Sequence, residues 1–167
     1  KGLMEYISTC KREFKPQTKF QYSCLNYITL QHIIETITGQ SLRDFAKENI
    51  FDILGMQYTD YLPTIQQQDG KWINTVACPW MDRIAPTEKQ KDGSVLCGQV
   101  HDPLARILNG GISGNAGIFS NANDIGILAA ALLNGGEYNG RRILSPLGVK
   151  TMCTVPRELT AFGRTPG

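Results

Sequence analysis

The chain has 167 residues, 41% hydrophobic and 19% charged, enough apolar side chain for one real core and too little charge for a disordered tail. Seventeen basic against 15 acidic residues leave a formal charge of +2, which gives no electrostatic case for nucleic acid or an anionic membrane as a partner. The longest apolar stretch, Ile125 to Leu133, is far shorter than the roughly 20 residues that span a bilayer, so no membrane-spanning helix is expected in this segment. The five cysteines, Cys10, Cys24, Cys78, Cys97 and Cys153, include no Cys-x-x-Cys pair, and the histidines are only His32 and His101, so a metal site is not expected.

The elements follow in chain order. Leu3, Ile7 and Cys10 share a helical face in a short first helix that Pro16 must end. From Asn26 to Thr38 the period is helical, with Tyr27, Leu30, Ile34 and Ile37 at the offsets of a buried stripe that Ile33 widens. Gly39 is its stop. Ser41-x-x-Asp44 resembles a capping box and opens a second helix with Leu42, Phe45 and Ile50 inward, ending at Leu54-Gly55. Residues 57 to 108 show little periodicity. Pro63, Pro79, Pro86 and Pro103 interrupt them, Asp69-Gly70 and Asp92-Gly93 mark turns, and so long a connection is often functional. Asn121, with Asp124 three residues on, caps a helix carrying Ile125, Leu128 and Leu132, stopped by Asn134-Gly135-Gly136. Asn139-Gly140 predicts a tight hairpin. Ser145-Pro146 opens a last helix to about Cys153. The expected class is mainly α, with long ordered loops and a short hairpin. The chain begins at Lys1 and stops at Thr165-Pro166-Gly167, a turn-like stretch, so residues 1–167 are read as one partial domain of a longer protein.

Three patterns invite chemistry. Gly111-x-x-Gly114-x-x-Gly117 has neither phosphate-loop spacing, and no predicted strand leads into it, so these glycines are read as close-packing turn residues. Ser8-Thr9-Cys10-Lys11 is a formal Ser-x-x-Lys, the spacing that sets an amine beside a hydroxyl on one helical turn. Seven serines and nine lysines yield about 0.4 such pairs by chance, and the charged, Pro-broken context is wrong for a nucleophile. Tyr22-Ser23-Cys24, opening an apolar helix, is the third.

The stretch FQYSCLNYITLQHIIETITGQSLRDFAKENIFDILGMQYTDY, residues 20–61, resembles the region around the tyrosine motif of class C β-lactamase-related serine hydrolases, a family that includes penicillin-binding DD-peptidases and esterases. Val100-His101-Asp102 and Gly114-Asn115-Ala116-Gly117-Ile118-Phe119-Ser120 look like the family's later Val-His-Asp and Gly-His-Ala-Gly-Leu-Phe-Ser signatures. The resemblance covers nearly the whole chain. It implies a helix-rich lobe of a fold that joins an α/β domain to an all-α one. It implies an enzyme that cleaves an amide or ester through an acyl-serine, with cell-wall peptide, β-lactam or a small ester as substrate and no cofactor. It places the protein in the periplasm or cell envelope of a bacterium.

Carried over by position, Tyr22 is the catalytic tyrosine, and Cys24 and Asn115 are the substrate-binding positions. Two of these depart from the pattern: Cys24 stands where Asn or Asp is usual, and Asn115 where His is usual. A thiol is a poor hydrogen-bonding group beside an amide. The His101-Asp102 pair is expected to hold the long loop, not to act as a dyad. The nucleophile and the Lys/His-Thr-Gly strand fall outside these residues in the family pattern, so the chain by itself is expected to be inactive. The alternative is a non-catalytic pseudo-enzyme or accessory domain that binds peptidoglycan or a partner protein.

Overall fold

The computed structural model describes residues 2–15, 18–19 and 21–154. Pro16, Phe20 and the Thr165–Gly167 end lie outside them. Helix α1, Gly2–Thr9, turns Leu3, Ile7 and Cys10 partly inward, as their spacing predicts. Ser8 donates its hydroxyl to the Glu5 carbonyl at 2.8 Å, and Lys11 lies beyond the helix end. The Ser-x-x-Lys spacing is therefore not built as a pair on one helical turn.

Helix α2, Cys24–Thr38, starts two residues earlier than its periodicity suggests, because Ser23 caps it by accepting the Leu25 amide at 3.2 Å. Gly39 closes it, its amide donating to the Glu35 carbonyl. The buried stripe is not the expected one. Ile28 is 3% exposed and Ile34 packs on the core, but Tyr27, Leu30 and Ile33 are exposed and Ile37 is 78% exposed. The helix is apolar nearly all round, so apolar spacing alone does not choose its inner face. Gln31 and Glu35 choose it by hydrogen bonds. Gln31 Nε2 donates to the Ile112 carbonyl and to Glu35, both at 3.1 Å, and Glu35 accepts the Leu42 amide at 3.0 Å. That last bond satisfies a donor at the start of the next helix.

Helix α3, Leu42–Ala46, continues through a π-helical turn, Lys47–Phe51, into the short α4, Asp52–Leu54. Ser41 accepts the Asp44 amide at 3.1 Å and donates its own hydroxyl to the Asp44 carboxylate at 2.7 Å. Leu42, Ala46, Phe51 and Leu54 are buried, whereas Phe45 and Ile50 are only half-buried; Ile50 lies in the π-turn, which rotates the inner face of the segment from there on. The core joins these four to Met56, Tyr61 and Ala131.

The long connection holds more strand than its sequence suggests. β1, Asp60–Tyr61, pairs antiparallel with β6, Ile118–Phe119. β2, Thr64–Gln66, and β3, Trp72–Asn74, form a hairpin over Asp69-Gly70; β4, Glu88–Lys89, and β5, Val95–Leu96, form another over Asp92-Gly93. Both turns are Asx-stabilised: Asp69 accepts the Lys71 amide at 3.0 Å and Asp92 accepts the Ser94 amide at 2.9 Å. The fourth ribbon is the expected one, β7, Glu137–Tyr138, with β8, Arg141–Arg142, across Asn139-Gly140, both central residues at positive φ. Helix α5, Ala122–Leu133, is capped by Asn121, and α6, Pro146–Met152, by Ser145. The described residues are helix-rich with a few short strands, and no helix among them is long and apolar enough to cross a membrane.

Candidate functional site

Tyr22 sits just before α2, 61% exposed, its ring tilted against Tyr27 with centroids 5.8 Å apart. Its hydroxyl lies 3.8 Å from Cys24 Sγ. The cap sets this geometry: Ser23 is extended, so residues 22 and 24 project together from the helix start. The Cys24 thiol, through its hydrogen bond and its charge, with smaller contributions from burial, Tyr27 and Asp102, holds the Tyr22 phenol above its ordinary value. Every one of these neighbours pushes the same way, so this surround keeps the phenol neutral.

Asn115 lies on the loop between the π-helical turn Leu104–Leu108 and β6. Its Oδ1 accepts the buried Ser113 hydroxyl at 2.6 Å, and Ser113 in turn accepts Asn109 Nδ2 at 2.7 Å. With its carbonyl oxygen held there, the Asn115 amide N–H2 is left without a hydrogen bond to the described residues, and Asn115 lines a hollow with Tyr61, Gly114 and Ile118.

Tyr22 and Asn115 share no direct hydrogen bond, but Tyr22 and the neighbour of Asn115 both flank Tyr27. Tyr22 does so by its ring, and Gly114, next to Asn115, by its backbone. The Gly114 amide donates to Gln31 Oε1 at 2.9 Å, and a Cβ on Gly114 would sit 2.1 Å from the Tyr27 carbonyl oxygen. Gly111 is similarly closed, its Cβ position 2.8 Å from the Leu62 carbonyl oxygen. Both glycines are there for close backbone approach, as their spacing suggests.

His101 and Asp102 do not form a dyad. Asp102 Oδ1 accepts the Ala105 amide at 2.8 Å and so caps the turn Leu104–Leu108. His101 Nδ1 faces Glu88 at 3.4 Å, tying this segment to β4, and Arg106 donates to the Val100 carbonyl at 2.7 Å. The pair braces the long connection.

One residue of the site, Gln31, escapes a reading of the sequence, and so does the effect of Asp102 on Tyr22. Gln31 holds the Gly114 loop to α2, and Asp102 adds its field to Tyr22. A glutamine inside an apolar helical period is the one signal that marks Gln31. No group of three or more His, Cys, Asp or Glu side chains among the described residues is placed to hold a metal ion.

The chain resembles several known proteins. A protein of Escherichia coli K12 named "Putative D-alanyl-D-alanine carboxypeptidase" is 34% identical over 96% of this chain. A Salmonella gallinarum protein of the same name is 30% identical over the same share. The chain spans 37% of the length of each. Among solved structures, a "putative beta-lactamase" from Bacteroides dorei superposes with a TM-score of 0.58, at 20% identity, over 92% of this chain and 34% of that one. A penicillin binding protein from Bacillus halodurans superposes with a TM-score of 0.53, at 16% identity, over 91% of this chain and 41% of that one. These two share the fold. The model of the Beta-lactamase family matches residues 1–163, and the chain therefore belongs to the Beta-lactamase family.

Proposed function

We propose that the whole protein is a bacterial serine hydrolase of the cell envelope or periplasm that cleaves the terminal amide of a cell-wall peptide ending in D-alanine. In this reading residues 1–167 form its helix-rich lobe. The serine nucleophile, its lysine and the Lys/His-Thr-Gly strand come from the rest of the protein. The substrate class draws on the relatives named as carboxypeptidases; β-lactams and small esters react through the same acyl-serine chemistry.

The observation that carries the reading is the grouping at the start of α2: an exposed phenol, Tyr22, beside the Asn115 loop, the two joined through Tyr27. Tyr22 acts as a proton relay. A neutral phenol can accept the serine proton on its oxygen while giving its own proton to the departing nitrogen, so no phenolate need accumulate. The raised Tyr22 value favours this concerted transfer over a standing base. Asn115 offers its free amide N–H2 to a substrate carbonyl.

The test is D-alanine release by the purified whole protein from an acyl-D-Ala-D-Ala peptide. Tyr22→Phe removes one oxygen and little volume, and loss of a proton-transfer group lowers the rate roughly 10²–10⁴-fold. Tyr27→Phe should cost little. Equal rates for wild type and Tyr22→Phe, at equal melting temperature, would reject the relay. The second reading, a non-catalytic domain that binds peptidoglycan or a partner protein, draws support from Cys24, whose thiol faces Tyr22 where an amide or carboxylate is usual.

A further inference from the structure

A cleft of about 280 Å³ opens between the start of α5, the end of β6 and the turn Met81–Arg83. It shares no lining residue with the Tyr22–Cys24 pair or the Asn115 loop hollow. β6 explains the separation. Successive strand residues face opposite ways, so Ile118 lines the hollow beside Asn115 while Phe119 enters this cleft. Three aromatic side chains, Tyr58, Trp80 and Phe119, supply its apolar walls with Ile84.

Its lining carries a cation and no carboxylate. The Arg83 guanidinium lies over the Tyr58 ring, 5.4 Å from the centroid, and no carboxylate among the described residues forms an ion pair with it. Asn121 Oδ1 is taken by the Asp124 amide, which leaves its N–H2 to donate. The Ser120 and Thr87 hydroxyls are already engaged, with Thr59 and with the Gln99 carbonyl. No acidic side chain lines the cleft.

The walls are also anchored. The Arg83 amide donates to the Trp80 carbonyl at 3.0 Å, and Cys97 Sγ donates to the Ile84 carbonyl at 3.1 Å. Tyr58 and Thr59 are tied to the buried Asp124 at the base of α5.

We propose that this cleft binds a small planar aromatic carboxylate, its ring against Trp80 and Phe119 and its carboxylate on Arg83 and Asn121. Aromatic faces favour a flat apolar body. A cationic ligand is disfavoured, because Arg83 already occupies the Tyr58 face and repels it. A guanidinium and an amide N–H2 lining one cleft suit the two oxygens of a carboxylate.

The experiment titrates the whole protein with 2-naphthoate by calorimetry, with 2-naphthylmethanol as the uncharged comparison. Saturable one-site binding of 2-naphthoate is expected. Arg83→Gln should weaken it roughly tenfold or more, the cost of losing a charge-assisted bond, and leave 2-naphthylmethanol unchanged. Arg83→Lys should restore part of the loss. Arg83 is exposed and carries no side-chain bond within the described residues, so its variants keep the fold; matched melting temperatures check this. Trp80→Ala should weaken both compounds. Absence of saturable 2-naphthoate binding overturns the proposal. So does an unchanged affinity in Arg83→Gln, or in Trp80→Ala.

Discussion

Gly114 packs its Cα so tightly on the Tyr27 carbonyl that a methyl group there would lie 2.1 Å from the oxygen. Backbone cannot yield as the far end of a side chain does. Gly114→Ala must therefore push the Asn115 loop away from α2 and stretch the Gly114–Gln31 bond. The expected loss is about 1–3 kcal/mol in denaturant-induced unfolding, in the range of overpacking. If the hydrolase reading holds, D-alanine release falls more than stability explains, because Asn115 moves with the loop. Gly126→Ala in mid-α5 is the control: the added Cβ meets nothing within 4 Å, and the change should be neutral or stabilising.

Asp124 joins two distant parts of the chain. It is 1% exposed, and one oxygen accepts both the Tyr58 amide at 2.7 Å and the Thr59 hydroxyl at 2.9 Å, across more than sixty residues of sequence. Asp124→Ala leaves a backbone donor without its partner, and Thr59 keeps only Ser120. A buried donor stripped of a charged acceptor costs about 1–3 kcal/mol or more. Thermal melts should show a lower midpoint for Asp124→Ala than for Asn121→Ala, which loses only a helix cap of about 1 kcal/mol. The reverse order would show that the cap outweighs the tie.

The caps are legible in the sequence because they are local. Ser41, Asn121 and Ser145 each satisfy an amide three residues on, and Gly39, Gly55 and Asn139-Gly140 end or turn the chain where they stand. Asp124 is legible only as a helix-start residue, since its partners at 58 and 59 are set by tertiary packing. The same holds for β1 with β6, two-residue strands too short to show alternation, whose register depends on chain far apart in sequence. On α2 the apolar spacing points to Tyr27, Leu30 and Ile37, but the fold turns inward the side where Gln31 and Glu35 find partners. In the site, Tyr22, Cys24 and Asn115 are readable as motif positions. The thiol facing the phenol is not, because it depends on the extended backbone of Ser23.

Tyr61 gives a pH-dependent test of the core. Burial pushes its phenol up to about 12. The unfolded chain ionises this group near 10. Below that pH the burial contribution is complete. Between about 10 and 12 the unfolded state releases the proton first, so stability falls as pH rises. Urea midpoints measured across this window should drop for wild type, and the drop should be smaller for Tyr61→Phe. A parallel fall in both would assign the alkaline instability to other groups.

Cys24 and Tyr22 give the sharpest test at the site. The thiol is the largest influence on the phenol and acts to keep it protonated. Removing it with Cys24→Ala should move Tyr22 ionisation toward its ordinary value, that is, downward. The phenolate absorbs near 295 nm, and subtracting the titration of Tyr22→Phe isolates Tyr22 from the five other tyrosines. Cys24→Asn replaces the thiol with a group that donates and accepts firmly, so it should lower the Tyr22 value as well and add a substrate-facing amide. In the hydrolase reading, Cys24→Asn then raises kcat/KM for an acyl-D-Ala-D-Ala peptide, with its alkaline limb shifted to lower pH, whereas Cys24→Ala shifts the limb without the gain. An unshifted Tyr22 titration in both variants would remove the thiol as the controlling neighbour. A shifted titration with no activity in any variant would favour the binding-domain reading.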